Sequence, residues 1–165
     1  MAFNGFANFG DIKGESTDKD HKDWVQLLSF HHGVAQPPSV SQKTAGGRSA
    51  EEADHSPVTI TKLLDAATPK LYEACCKGTH IPTVSIELWR AGGEKPVKYM
   101  EYKLKEVLIS GVQENGDPGG AHQFPTETVS LTYGSIEWTY TKQNAKGEAA
   151  GNVAAKWSVS QGAVA

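Results

Sequence analysis

Six histidines and two neighbouring cysteines are the side chains of this 165-residue sequence best suited to chemistry, and their spacing argues against most of it. The histidines stand at 21, 31, 32, 55, 80 and 122, with no metal-ligand spacing among them. His31 and His32 are adjacent in a strand-like stretch, so they face opposite ways and cannot both reach one ion. Cys75 and Cys76 are successive residues of a predicted helix and point about 100° apart, where a bond between them would be badly strained. They read as two small buried or half-buried thiols, since a redox or metal role needs further thiols or a CxxC spacing. Glu114 and Asp117 among glycines faintly resemble a calcium loop, but the ligand positions of an EF-hand are missing and a plain turn is the better reading. Gly92-Gly93 follows a strand with no helix and no Gly-Lys-Ser/Thr behind it, so a phosphate cradle has nothing to stand on. No G-x-S-x-G elbow, no H-E-x-x-H and no cysteine with an activating base is present. The expectation is a protein that is not an enzyme and needs no metal or cofactor.

Composition narrows the remaining classes. A formal net charge of -3 without any run of Lys or Arg gives no basic stripe to neutralise phosphates, which excludes a dedicated nucleic-acid surface. The first sixteen residues lack the basic start and continuous apolar core of a secretory signal, and no stretch is long enough to span a bilayer. The chain is therefore expected to be made in the cytoplasm and, if it leaves the cell, to do so without a cleaved signal and without inserting in a membrane. Its length fits one domain over residues 1–165.

The elements that would hold these residues are organised around the stretch 55–82. Val58, Ile60, Leu63 and Leu64 read as a short strand ending at Asp65. Thr68 then Pro69 predicts a helix start, the Thr hydroxyl accepting from free amides and Pro losing no bond it would have made. Gly78 predicts the stop. Between them Leu71 and Cys75 share a face, with Tyr72 and Cys76 beside them, so the helix has an apolar stripe that must pack on something.

Around that centre the sequence is β-rich. Phe3, Phe6, Phe9 and Ile12 suggest an opening strand, residues 11–16 a turn built on Gly14, and residues 18–23 a solvated connection. From 24 to 32, Trp24, Leu28 and Phe30 alternate with Val25, Leu27, Ser29 and His31, so both faces are partly apolar and the strand is expected either to be covered on both sides or to give one face to a subunit contact. Residues 33–56 have no periodicity and form an irregular arm, expected to dock on a neighbour. Val84, Ile86 and Leu88 alternate with polar residues, and residues 91–96 make a hairpin turn. Met100, Tyr102, Leu104 and Leu108 give way, past Glu106, to Val107 and Ile109 on the opposite face, which predicts a bulge or a second burial surface. The same change occurs between Val129, Leu131, Tyr133 and Ile136, Trp138, Tyr140, with Gly134-Ser135 at the switch. A turn at 114–125 separates these two long strands, and Val153, Ala155, Trp157 and Val159 make a last strand. Together these predict a mainly β fold, a small β-barrel of two packed, mostly antiparallel sheets with one short flanking α-helix.

In order and spacing, several of these residues resemble the haemolysin-coregulated protein (Hcp) family of bacterial type VI secretion. They are Asp11-Ile12-Lys13-Gly14-Glu15-Ser16, His21 and Trp24, then Thr61-Lys62-Leu63-Leu64-Asp65 with Thr68-Pro69, Leu71, Cys75 and Gly78. Gly92-Gly93, the run from Leu104 to Ser110, and Ser130-Leu131 extend the resemblance to Tyr140. The resemblance implies a homohexameric ring with an open channel, stacking into the inner tube of a contractile sheath beneath a spike protein. It also implies release into the medium and carriage of small effector proteins inside the ring. On that picture Ser29 and His31 are expected to face the channel, and Gln36, Lys43, Arg48 and Glu51 of the arm to mediate ring-on-ring contact. The competing reading is a monomeric β-barrel that binds a small apolar ligand, which predicts a single particle near the 17.7 kDa chain mass.

Overall fold

The computed structural model describes residues 4–37, 52–90, 95–116, 120 and 122–165. Its wall is antiparallel throughout: β1 (Asn4–Asn8) pairs with β2 (Val25–Leu27) on one side and with β7 (Ile81–Arg90) on the other. β8 (Val97–Asn115) follows β7, then β9 (Thr126–Thr132), β6 (Val58–Leu63) and β3 (Ser29–His31). Since β2 and β3 are separated by Leu28 alone, whose amide donates to Thr61 O at 2.7 Å, the sheet returns on itself and closes a barrel. Closure removes the exposed edges of these strands.

The interior is filled by side chains at alternate positions. Val84 and Ile86 of β7, Leu104 and Val107 of β8, Val129 and Leu131 of β9, and Val58 and Ile60 of β6 are all fully buried. Each such aliphatic chain contributes about 1.5–3 kcal/mol relative to exposure. The only helix among the described residues, α1 (Thr68–Lys77), packs against β8 through Leu71 and Ala74. Gly78 caps it in the left-handed region at φ 61°, where a glycine carries no Cβ penalty.

Two long strands bend where the apolar face changes phase. In β8 the buried set steps from Leu104 to Val107, and Glu106 between them takes a positive φ of 52°. Opposite it the returning strand divides at Gly134 into β9 and β10 (Ser135–Gln143), so the bend falls at the expected residues, but the register runs unbroken through them and the slip that a bulge makes lies between Ile109 and Gly111. Gly134 lies so close to Glu106 that an added Cβ would stand 3.2 Å from that residue's own Cβ. β11 (Ala149–Ser158) pairs with β10 and completes a hairpin that leaves the barrel wall from β8.

Several sequence expectations are corrected by packing. The inward position after Val58 and Ile60 is Lys62, fully buried, and Leu63 and Leu64 are only half-buried. Thr68 does not cap the helix. Ala67 holds that position without a side-chain bond, Asp65 Oδ1 accepts from the Ala67 amide at 2.9 Å, and the Thr68 hydroxyl turns inward. The stretch 24–32 is not one strand with two fixed faces. Val25 and Leu27 point into the core on β2, whereas on β3 Ser29 and His31 are exposed and Phe30 is half-buried, so the phase flips at Leu28. The arm is not irregular at its root, where β4 (Val34–Ala35) pairs with β5 (Asp54–His55). Phe3 and the hairpin turn at 91–94 lie outside the described residues, and Gly14 is needed for close approach. A Cβ there would stand 2.5 Å from the Trp24 carbonyl oxygen and 2.9 Å from the Val25 Cα.

Candidate functional site

The row of side chains that packs the barrel continues out of it. On one face of the hairpin, Leu104 of β8 lies opposite Ile136 of β10, Tyr102 opposite Trp138, and Met100 opposite Tyr140. β11 extends the row with Trp157 opposite Ile136, Ala155 opposite Trp138 and Val153 opposite Tyr140. Burial falls steadily along it. Leu104 and Ile136 are in the core, Tyr102, Trp138 and Trp157 are half-buried, and Tyr140 and Val153 are 43% and 53% exposed. The reverse face of the same strands carries Glu101, Lys103, Glu137 and Lys156, with Lys156 Nζ 3.5 Å from Glu137 Oε2. The hairpin is thus amphipathic beyond the point where its own barrel can cover the apolar side. Such an uncovered patch marks a contact surface.

At the inner end of this row the arm is anchored. His55 Nδ1 lies 3.0 Å from the Tyr133 hydroxyl, and Ser56 donates its amide to Gly33 O at 3.0 Å. Burial raises the Tyr133 hydroxyl to about 12, so it stays a neutral phenol. His32 sits between the arm root and the aromatic row, its ring 6.0 Å from Tyr102, 6.0 Å from Tyr133 and 6.2 Å from Trp138.

Ser29 and His31 share the exposed face of β3, away from Phe30 and His32. Gln36 is exposed just past β4, while Lys43, Arg48 and Glu51 lie outside the described residues. Cys75 is half-buried and Cys76 exposed, both unbonded to one another. Among the described residues no three of His, Cys, Asp and Glu gather as a metal-binding set.

Sequence reasoning missed two built polar clusters. In the first, His21 is 3% exposed, stacked on Phe6 at 4.2 Å and flanked edge-on by Trp24 and Trp89. Its Nδ1 meets Asp18 at 2.6 Å and its Nε2 meets Glu87 at 2.9 Å. Glu87 also accepts from Trp89 Nε1 and from Lys98 Nζ, each at 3.0 Å. Burial pushes the Glu87 carboxyl up, but the bonds from His21, Lys98 and Trp89 together outweigh it and hold it below the usual range. In the second cluster Lys62 and Glu127, both fully buried, lie directly opposite on β6 and β9 with Nζ 3.1 Å from Oε2. Lys62 also reaches Asp65 at 2.8 Å, and the Thr68 hydroxyl donates to Glu127 at 2.6 Å, tying α1 to the barrel. The alternation of Val58, Ile60 and Lys62 against Glu127, Val129 and Leu131 was the signal that both charges point inward.

The chain resembles known proteins over most of its length. Residues 6–140 match the family described as type VI secretion system effector, Hcp. The chain is 36% identical over 162 residues to the Pseudomonas aeruginosa protein named hcp1, covering 98% of each. It is 29% identical over 142 residues to the major exported protein of the same organism, covering 83% of this chain and 80% of that one. A solved structure described as a type six secretion system protein superposes with a TM-score of 0.91 at 30% identity, covering 99% of this chain and all of the other.

Proposed function

This chain belongs to the Hcp family of the type VI secretion system, and from that premise we propose that six copies close into a ring that stacks to form the secretion tube. The observation that carries the reading is the apolar row from Tyr102 and Trp138 to Tyr140 and Val153, which runs out of the core and whose outer end is left uncovered by its own subunit. A ring needs two different, complementary surfaces on each copy, and a projecting amphipathic hairpin supplies one of them. An apolar, aromatic centre with a polar rim is what a lasting protein contact requires.

Within the ring, Ser29 and His31 face the channel and act on small effector proteins carried there. The arm at about 33–56, with Gln36, Lys43, Arg48 and Glu51, meets the next ring. The tube sits within the contractile sheath and carries the spike protein at its end. The chain leaves the cell through the apparatus, as suits a relative named for its export. The function is mechanical and steric.

Native mass spectrometry with negative-stain imaging of the purified chain tests this reading. Hollow particles of six times the 17.7 kDa subunit mass are expected. A lone subunit at every concentration, with no annular particles, overturns it.

A further inference from the structure

His32 is half-buried, and its ring nitrogens have nothing to bond. Both ring nitrogens are shielded from water, and neither has a hydrogen-bond partner. A histidine so placed is tolerated while neutral and costs far more once charged, because an imidazolium presents two N–H groups that both need acceptors. None of the described residues bonds either nitrogen. Tyr102 of β8, Tyr133 at the β9–β10 junction and Trp138 of β10 wall it in, and Phe30 packs on Tyr102 at 4.6 Å. From the arm root comes His55 of β5, and from β3 the adjacent His31, both of which repel a charge on His32. Asp54, opposite Ala35 in the arm-root ladder, is exposed.

We propose that His32 is an acid-operated latch on the arm: neutral, it lets the two legs of the β4–β5 root close at the inner end of the aromatic row, and on taking up a proton it drives those legs apart. Three links keep the root closed: one ties its second leg to the barrel, and two join its legs to each other. The His55 bond to Tyr133 brings a second imidazole beside His32. The Ser56 amide bond to Gly33 begins one residue past His32. The Val34 to His55 pairing is the inner rung of the two-residue ladder. Burial, followed by His55 and His31, holds His32 below the ordinary histidine value of 6.5. The attraction of three aromatic faces for a cation offsets this only in part. A group depressed on folding contributes stability that is present above its unfolded value and lost as pH falls toward the folded one. The latch is therefore closed at neutral pH and opens on acidification below about 6.5. The inference concerns one subunit and stands whether or not the arm contacts another ring.

Hydrogen exchange of the Ser56 amide, expressed as a protection factor to remove the intrinsic pH dependence, reads the latch directly. In the wild-type chain protection is expected to fall by up to about tenfold per pH unit below the switch, the limit for one proton. Protection of the core strands β7 and β9 stays constant. His32→Phe fills the same space without a proton site, and its Ser56 protection should not change with pH. Parallel curves for the two chains overturn the proposal. Titration of the His32 imidazole by NMR in the wild type gives a reading independent of the variant's folding. A midpoint clearly under 6.5 supports the latch, and one at or above it overturns it.

Discussion

Glu87 Oε2 and His21 Nε2 stand 2.9 Å apart, although 66 residues separate them in the chain. The bond fixes the charged connection 18–23 to β7, so a segment that reads as solvated is pinned at its centre. Lys98 reaches the other Glu87 oxygen and a Glu101 oxygen as well, which spreads the cluster to β8. Burial works to lower the Lys98 ammonium, yet its bonds to Glu101 and Glu87 raise it overall, so the cation persists.

Glu87→Gln keeps the shape and removes the charge. Losing charge-assisted bonds to His21 and Lys98 should destabilise the chain by about 1.5–3 kcal/mol at pH 7. The pH dependence has a definite sign. Because the Glu87 carboxyl is lowered on folding from its ordinary 4.5, its contribution is present above that value and disappears as pH falls through the folded one. Urea denaturation between pH 3 and 7 should show the wild type and the variant converging at the acid end. A constant difference across that range would remove the charge from the account.

The buried pair on β6 and β9 makes a different prediction. Lys62→Met leaves Glu127 charged, buried and short of a partner, and should cost about 3–5 kcal/mol. Glu127→Leu added to it removes the orphan and should recover most of the loss, since a well-packed apolar pair often matches a buried ion pair. Thermal unfolding of the two single variants and the double variant measures the coupling. Additive losses would mean the two side chains act separately.

How much of this was legible follows from what alternation can and cannot say. The strand Val84, Ile86, Leu88 was plain, because a period of two with apolar inward residues has one reading. The phase change past Glu106 was also visible, since a regular period of two cannot put Leu104 and Val107 on the same side; the positive φ of Glu106 makes the change, with no inserted residue. The helix stop at Gly78 follows from the lack of a Cβ. Lys62 and Glu127 were missed because hydropathy assigns a charge to the surface, and only their shared register shows that each answers the other. Thr68 was misread because a local cap and a partner 59 residues away compete for one hydroxyl. The uncovered apolar row was foreseen only as strands with two semi-apolar faces. Which face lacks cover depends on where β8 leaves the barrel, and that is a tertiary fact.

The placement of Ser29 and His31 in a channel is tested by charge. With six copies around one axis, His31→Asp sets six carboxylates facing one another. Retention of a small effector protein should change by about fivefold or more, the equivalent of ~1 kcal/mol. Co-purification of cargo with wild-type and variant rings measures this, alongside the solubility of the rings. If neither quantity changes, the residues do not face the channel.

The arm separates two levels of assembly. Deleting residues 37–53 leaves the barrel strands intact and should leave single rings intact while abolishing stacks, seen by negative-stain imaging. Long insertions and deletions in such surface segments cost little folding stability, so the loss of stacking would not come from unfolding. Rings that fall apart would give the arm a place within the ring.

The hairpin offers the sharpest separation of fold from assembly. Tyr140 and Val153 are opposite one another at the outer end of the apolar row, and both are substantially exposed in the single subunit. Tyr140→Lys with Val153→Glu should therefore alter subunit stability by no more than about 0.5 kcal/mol each, the range for surface sites. In the proposed ring the same positions lie against a neighbour, where losing an aromatic anchor can cost about 2 kcal/mol or more and taking two charges out of water costs several more. The pair should thus convert rings to monomers without loss of structure, measured by native mass spectrometry beside circular dichroism. Thr139→Lys supplies the control, because it adds the same charge one residue away on the polar face that carries Glu137 and Lys156. A period of two then decides the outcome: monomers from the first change and rings from the second would assign the contact to the apolar face. Rings from both would release the hairpin from any part in it.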